Sequence, residues 1–193
     1  MPGVVVDIGT GDGEFVYAIA KDNPDRFIIG IDPDYKGLEK SSARIYKKAS
    51  KGGLDNALFV LGSIEALPEE LNDIADQVFI NFPWSGLLKG IALVEDDTWS
   101  NIKRICKTGA YIDILFGYER TGGIDETEQF GIPVLNPPYI KDTIAPRLAE
   151  KGFRVIEMRT LDPEEIRNYP SSWAKKLGYG RDRTYYYLRL ISE

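Results

Sequence analysis

Val4-Val5-Val6-Asp7-Ile8-Gly9-Thr10-Gly11-Asp12-Gly13 decides how this chain is read. The β-branched run Val4–Ile8 predicts a short buried strand. Glycines at 9, 11 and 13 let the backbone turn tightly and approach a ligand at the N-terminus of the next helix. Glu14–Lys21 supplies that helix, with Phe15, Ala18 and Ile19 at helical spacing.

The alternation continues outward from this unit. Phe27–Ile31, Ala57–Leu61, Gln77–Phe82 and Tyr111–Phe116 read as further buried strands, and Tyr35–Lys48 and Thr98–Lys107 as helices. Such alternation predicts an α/β domain around a parallel sheet. Gly117–Pro138 holds four Gly and three Pro and reads as a long loop or lid. Ile140–Lys151, closed by Gly152, is a helix; Arg154–Arg159 is a sixth strand and Thr184–Ile191 a last one. Asp162–Gly180 lies between them as a second insertion with short helical turns. We expect a single domain over residues 1–193, with 117–138 and 162–180 as insertions for substrate binding.

Composition narrows the chemistry. The 193 residues are 43% hydrophobic and 28% charged, ordinary for a globular chain. Lys and Arg number 24 against 30 Asp and Glu, a net charge of -6 that argues against a nucleic-acid partner. No apolar run approaches the roughly 18 residues of a membrane span, and Met1-Pro2-Gly3-Val4 has no basic stretch of the kind that opens a signal peptide. Cys106 is the one cysteine, which fits a reducing cytoplasm. With one cysteine and no histidine, a structural zinc site or a Cys–His pair is excluded, and no metal is expected.

The glycine loop departs from the dinucleotide fingerprint G-x-G-x-x-G, because Glu14 stands in the third glycine's place. A carboxylate there suits a pyrophosphate poorly. S-adenosylmethionine has no phosphate and carries an ammonium group, so Asp7 and its neighbours suit it better. Asp32, in Gly30-Ile31-Asp32-Pro33, stands where an acidic residue holds ribose hydroxyls. In Leu61-Gly62-Ser63-Ile64-Glu65-Ala66-Leu67-Pro68, Ser63 or Glu65 could bond an adenine edge. A plain tight turn with a helix cap, or a nicotinamide cofactor, are the other readings of this loop.

Asn81-Phe82-Pro83-Trp84 ends the fourth strand, at the sheet edge where ligands sit. It has the form [NDS]-x-P-[YFW], similar to the motif of methyltransferases acting on base nitrogens. Trp173 lies among Lys175, Lys176, Arg181 and Arg183, which suits a stacking residue in a phosphate-contacting loop. Trp99 and Cys106 are assigned to packing.

Together these residues resemble one family, the aminoglycoside-resistance 16S rRNA (adenine-1408, N1) methyltransferases of the kanamycin–apramycin resistance type. The resemblance rests on the glycine loop, Gly30-Ile31-Asp32-Pro33, Ser50-Lys51-Gly52-Gly53-Leu54, Phe82-Pro83-Trp84 and Ser171-Ser172-Trp173-Ala174-Lys175-Lys176-Leu177. It implies a Rossmann-like class I methyltransferase: a seven-stranded, mostly parallel sheet, helices on both faces, and insertions before the sixth and seventh strands. It implies S-adenosylmethionine as donor, held by Asp7, Gly9, Thr10, Gly11, Gly13, Asp32, Pro33, Ser63, Ile64, Glu65 and Asn81. Trp84 and Trp173 would sandwich a flipped adenine, with Pro83 shaping the donor side and Ser171 placing Trp173. Arg44, Lys47, Lys48, Lys176, Arg181 and Arg183 would contact RNA. The implied partner is 16S rRNA in the 30S subunit, met by a cytoplasmic monomer without membrane or metal. Lys176 stands where the family pattern has arginine, Asn81 where it has an apolar residue, and Ser85-Gly86 inverts a Gly-Ser order.

Adenine N1 carries an in-plane lone pair and no proton, so it attacks a sulfonium methyl without a general base. The absence of histidine is compatible with that reaction. Alternative substrates are another RNA, such as tRNA at guanine N7, or a small molecule or protein; a donor-binding protein without activity is the non-enzymatic reading. The charge is also unevenly spread. Residues 36–51 carry +5 and residues 173–189 carry +4, so the acidic excess lies elsewhere.

Overall fold

The computed structural model describes residues 3–119, 131–178 and 183–193. Among these, seven strands form one sheet: β1 Val4–Ile8, β2 Phe27–Asp32, β3 Ala57–Leu61, β4 Ala75–Asn81, β5 Cys106–Glu119, β6 Phe153–Leu161 and β7 Arg183–Ser192. Their order is β3-β2-β1-β4-β5-β7-β6. All pairings are parallel except those of β7, which runs antiparallel to β5 and β6. The chain leaves β1 to one side for β2 and β3, then returns to β1's other side for β4. This reversal opens a crevice at the carboxyl ends of β1 and β4, where ligands bind in open α/β sheets.

The helices are α1 Glu14–Asp22, α2 Tyr35–Ile45, α3 Ser85–Ala92, α4 Asp96–Ile105, α5 Pro137–Glu150, α6 Pro163–Asn168 and α7 Ser172–Gly178; α5 passes through a π-helical stretch at Ile140–Ile144. Strand residues alternate between two faces, and both are covered. On one face Val6, Ile29, Val78 and Ile112 pack with Ile91 of α3, Trp99 and Ile102 of α4, and Leu148 of α5. On the other, Val5, Ile28 and Ala57 meet Val16, Tyr17 and Ala20 of α1 and Ile45 of α2. Further along that face, Leu115 and Tyr185 are covered by Ile166 of α6 and Ala174 of α7. Burial on both faces explains why the first five strands read as continuous apolar runs.

The local reading needs four corrections. The second helix ends at Ile45, not Lys48. Ala49–Lys51 forms a 3₁₀ turn capped by Gly52 in the left-handed region, at φ 83°. A Cβ on Gly53 would overlap the Lys47 carbonyl, so the two glycines of Ser50-Lys51-Gly52-Gly53-Leu54 fold the turn that carries Lys47 and Lys48. The helix α3 was not expected, because Gly86 and Gly90 dilute its helical signal. Gly90 is required there: a Cβ would meet Thr98 Oγ1 of α4. Next, α4 starts at Asp96 and gives way to strand at Cys106, so Lys107 belongs to β5. Finally, β5 runs on to Glu119, α5 begins at Pro137, and residues 120–130 of the expected loop lie outside the described residues.

Candidate active site

The glycine loop closes on the neighbouring strand. The N–H groups of Gly9 and Thr10 donate to the Ile31 carbonyl at 2.8 and 3.1 Å. Gly9, Gly11 and Gly13 have φ of 74°, 61° and 72°, which only glycine adopts without cost. Gly13 is also a point of close approach, since a Cβ there would stand 2.5 Å from the Phe59 ring. At the β2 exit, Asp32 accepts from Gly11 N–H through Oδ2 and from Asp34 N–H through Oδ1, both at 2.8 Å. Its carboxylate is thereby fixed in orientation, with lone pairs left for a ribose.

The β4 exit is a strained corner. Phe82 and Ser85 both sit at φ 51°, uncommon for residues with a Cβ. Between them lie the buried Pro83 and the half-exposed Trp84, and Phe82 N–H is anchored on the Leu115 carbonyl at 2.7 Å.

These exits surround a cavity of about 630 Å³, within the range of small-molecule sites. Its wall includes Gly9, Gly11, Asp32, Pro33, Asp34, Gly62, Ser63, Ile64, Glu65, Asn81, Pro83, Trp84 and Trp173. Trp84 and Trp173, each 53% exposed, therefore come from segments far apart in sequence to one cavity. The Lys176 ammonium stands 5.2 Å from the Trp173 ring centre, a cation–π contact. Phe116, Leu87 and Leu177 also line the cavity. Their apolar character gave no sign of this, because such residues mostly mark core.

Other expected site residues lie elsewhere. Asp7, Thr10 and Gly13 are not part of the wall. Asp7 is 1% exposed and receives Asn81 Nδ2–H at 3.0 Å. Burial pushes its carboxyl up to about 7; the Thr10 and Asn81 side chains pull it down, and the Asp32 charge raises it. Ser171 precedes α7, and its carbonyl receives Lys175 N–H at 3.1 Å, so it starts the helix that carries Trp173. Arg44 is engaged within the protein, paired with Glu14 at 3.3 Å and 3.4 Å from the centre of the Tyr17 ring. Lys47 and Lys48 are exposed. Arg189, counted in the second basic stretch, turns inward to Asp113 at 2.6 Å. Arg181 lies outside the described residues, and Arg183 opens β7.

One reversed strand at the far side of an otherwise parallel sheet separates this order from that of dinucleotide-binding domains. The crevice also fits the donor: glycine backbone for close approach, an oriented carboxylate for ribose, and a polar turn at Ser63–Glu65. The protein is a class I S-adenosylmethionine-dependent methyltransferase. More narrowly, the chain belongs to the 16S rRNA (adenine(1408)-N(1))-methyltransferase family, whose NpmA model matches residues 1–191. It is 37% identical over 184 residues to the Escherichia coli enzyme of that name, covering 95% of this chain and 84% of that one. The Streptoalloteichus tenebrarius enzyme is 33% identical over 181 residues, with 93% and 82% covered. Among solved structures, a tryptophan-to-alanine variant of the Catenulisporales acidiphilia enzyme, crystallised with its cosubstrate SAM, matches at TM-score 0.89 and 31% identity, over 98% of this chain and 85% of that one.

Proposed function

We propose that this chain, acting as a cytoplasmic monomer, methylates N1 of adenine 1408 of 16S rRNA in the assembled 30S subunit and so confers aminoglycoside resistance. The observation that carries the reading is the meeting of Trp84 and Trp173, both half-exposed, on the wall of the donor cavity. Two such faces suit a base flipped from its stack.

When bound, S-adenosylmethionine supplies the electrophilic methyl. Asp32 would hold its ribose hydroxyls, and Ser63, Ile64 and Glu65, which line the cavity, would meet its adenine edge. Asp7 would act from behind the wall, where the donor's ammonium, if it came near, would favour the ionised form. Trp84 and Trp173 hold the target adenine, with Pro83 setting its plane. The chain's work is positioning, since N1 needs no base before attack. Lys47, Lys48, Lys176, Arg181 and Arg183 contact rRNA phosphates, while Arg44 braces α1 against α2. The 117–138 and 162–180 insertions serve substrate binding within one domain, and no metal takes part.

The test is incubation with labelled donor and 30S subunits, free tRNA being the control, followed by primer extension. A stop at adenine 1408 is expected. Label in tRNA, or none in either RNA, would overturn the proposal.

A further inference from the structure

Tyr169 lies between α6 and α7, two residues before Ser171 and four before Trp173. Its hydroxyl donates to Asn81 Oδ1 at 2.6 Å, and Asn81 Nδ2 donates in turn to Asp7 Oδ1 at 3.0 Å. Its ring stacks on Phe15 of α1, with centroids 5.5 Å apart, and meets Phe82 edge-on at 6.2 Å. Its carbonyl receives Ser171 N–H at 2.8 Å. One residue thus touches the helix after the glycine loop, the corner that presents Trp84, and the start of the segment that presents Trp173.

We infer that Tyr169 and Asn81 are positioning residues whose hydrogen-bonded chain to Asp7 couples the donor site to the placement of Trp173. The inference rests on the reading of Trp173 as a base-stacking residue. The chain has a direction. Burial, and next the Asp7 carboxylate, hold the Tyr169 phenol above its usual range, so it remains a donor. Asn81 must then present its carbonyl to Tyr169 and its amide to Asp7, which acts as acceptor. An ionised Asp7 accepts best, and a donor ammonium reaching the neighbouring cavity wall would favour that form. A bound donor therefore strengthens the chain, and the chain holds the Trp173 segment. By linkage, ordering that segment favours the donor equally. Asn81 fits this role better than direct donor contact alone, because both ends of its amide are engaged within the protein.

Tyr169→Phe tests the proposal, since it removes the hydroxyl and keeps both ring contacts. Amide hydrogen exchange is followed across Ser172–Gly178 with and without S-adenosylhomocysteine. In the wild type the ligand should slow exchange in α7. In Tyr169→Phe, and equally in Asn81→Leu, basal exchange there should rise several-fold and the ligand effect should vanish, with α4 unchanged. Turnover on 30S subunits should fall about two- to tenfold in Tyr169→Phe, the effect of one hydrogen bond. The double variant with Trp173→Ala should be no slower than Trp173→Ala alone. Unaltered α7 exchange, or losses that multiply in the double variant, would overturn the coupling. Normal methylation by Trp173→Ala would instead sink the stacking assignment, and the exchange measurement would still decide whether Tyr169 links donor site to α7.

Discussion

The two walls of the cavity are built differently. The donor wall is held by groups that are already partnered: the glycine loop on Ile31, Asp32 on two backbone amides, and Asp7 on Asn81. The acceptor wall presents two tryptophans with half their surface open. On the proposed function, a donor of fixed shape would meet a preformed cradle, whereas faces meant for an extruded base would stay open until it arrived. The contrast predicts that stability and activity separate by wall.

Gly13→Val should break the donor wall hardest. It combines a left-handed backbone with a Cβ 2.5 Å from Phe59, costing about 2–5 kcal/mol in urea unfolding. The same assay should find Trp173→Ala nearly neutral.

Asp7 gives the next effect. The fold prefers its carboxyl protonated up to about pH 7, whereas the unfolded chain ionises near 3.8. Between those values the unfolded state binds fewer protons, so stability falls as pH rises and levels off above 7. Asp7→Asn should remove this slope and raise stability at pH 8 by up to about 4 kcal/mol, while weakening donor binding. Melting temperature against pH and calorimetric titration of the donor check both halves. An unchanged slope would mean that Asp7 is solvated.

On the acceptor wall, Trp84→Ala and Trp173→Ala should each slow methylation by about 5- to 150-fold, the worth of one stacked base, with donor affinity nearly intact. A comparable loss of donor affinity would erase the distinction between the walls. The smallest effect is expected at the exposed turn. Lys47→Ala and Lys48→Ala should each reduce the slope of log affinity for 30S subunits against log salt by about 1, leaving turnover at saturation unchanged.

The same contrast decided what the sequence could reveal. The donor wall depends on short local signals: a glycine loop after a strand, an acidic residue at the next exit, and a polar turn at the third. Those signals lead to Asp32, Ser63 and Glu65, which the fold brings to one cavity. What local pattern could not distinguish was a residue on the wall from one behind it, hence Asp7, Thr10 and Gly13. The acceptor wall depends on contacts across long separations. Asn81 and Tyr169 are 88 residues apart, and nothing in Arg167-Asn168-Tyr169-Pro170 announces a partner on the fourth strand. Arg189 misleads for a related reason. A count of charges is blind to Asp113, the buried acid that engages it.

The Pro83–Trp84 corner leads to an evolutionary expectation. Phe82 and Ser85 hold a backbone shape worth about 1–3 kcal/mol of strain each. A library selected only for heat tolerance should accumulate glycine or asparagine at the exposed position 85, while one selected for methylation should resist such changes wherever a slack corner lets Trp84 swing. Divergence between the two lineages at this position would record the cost of aiming one aromatic face.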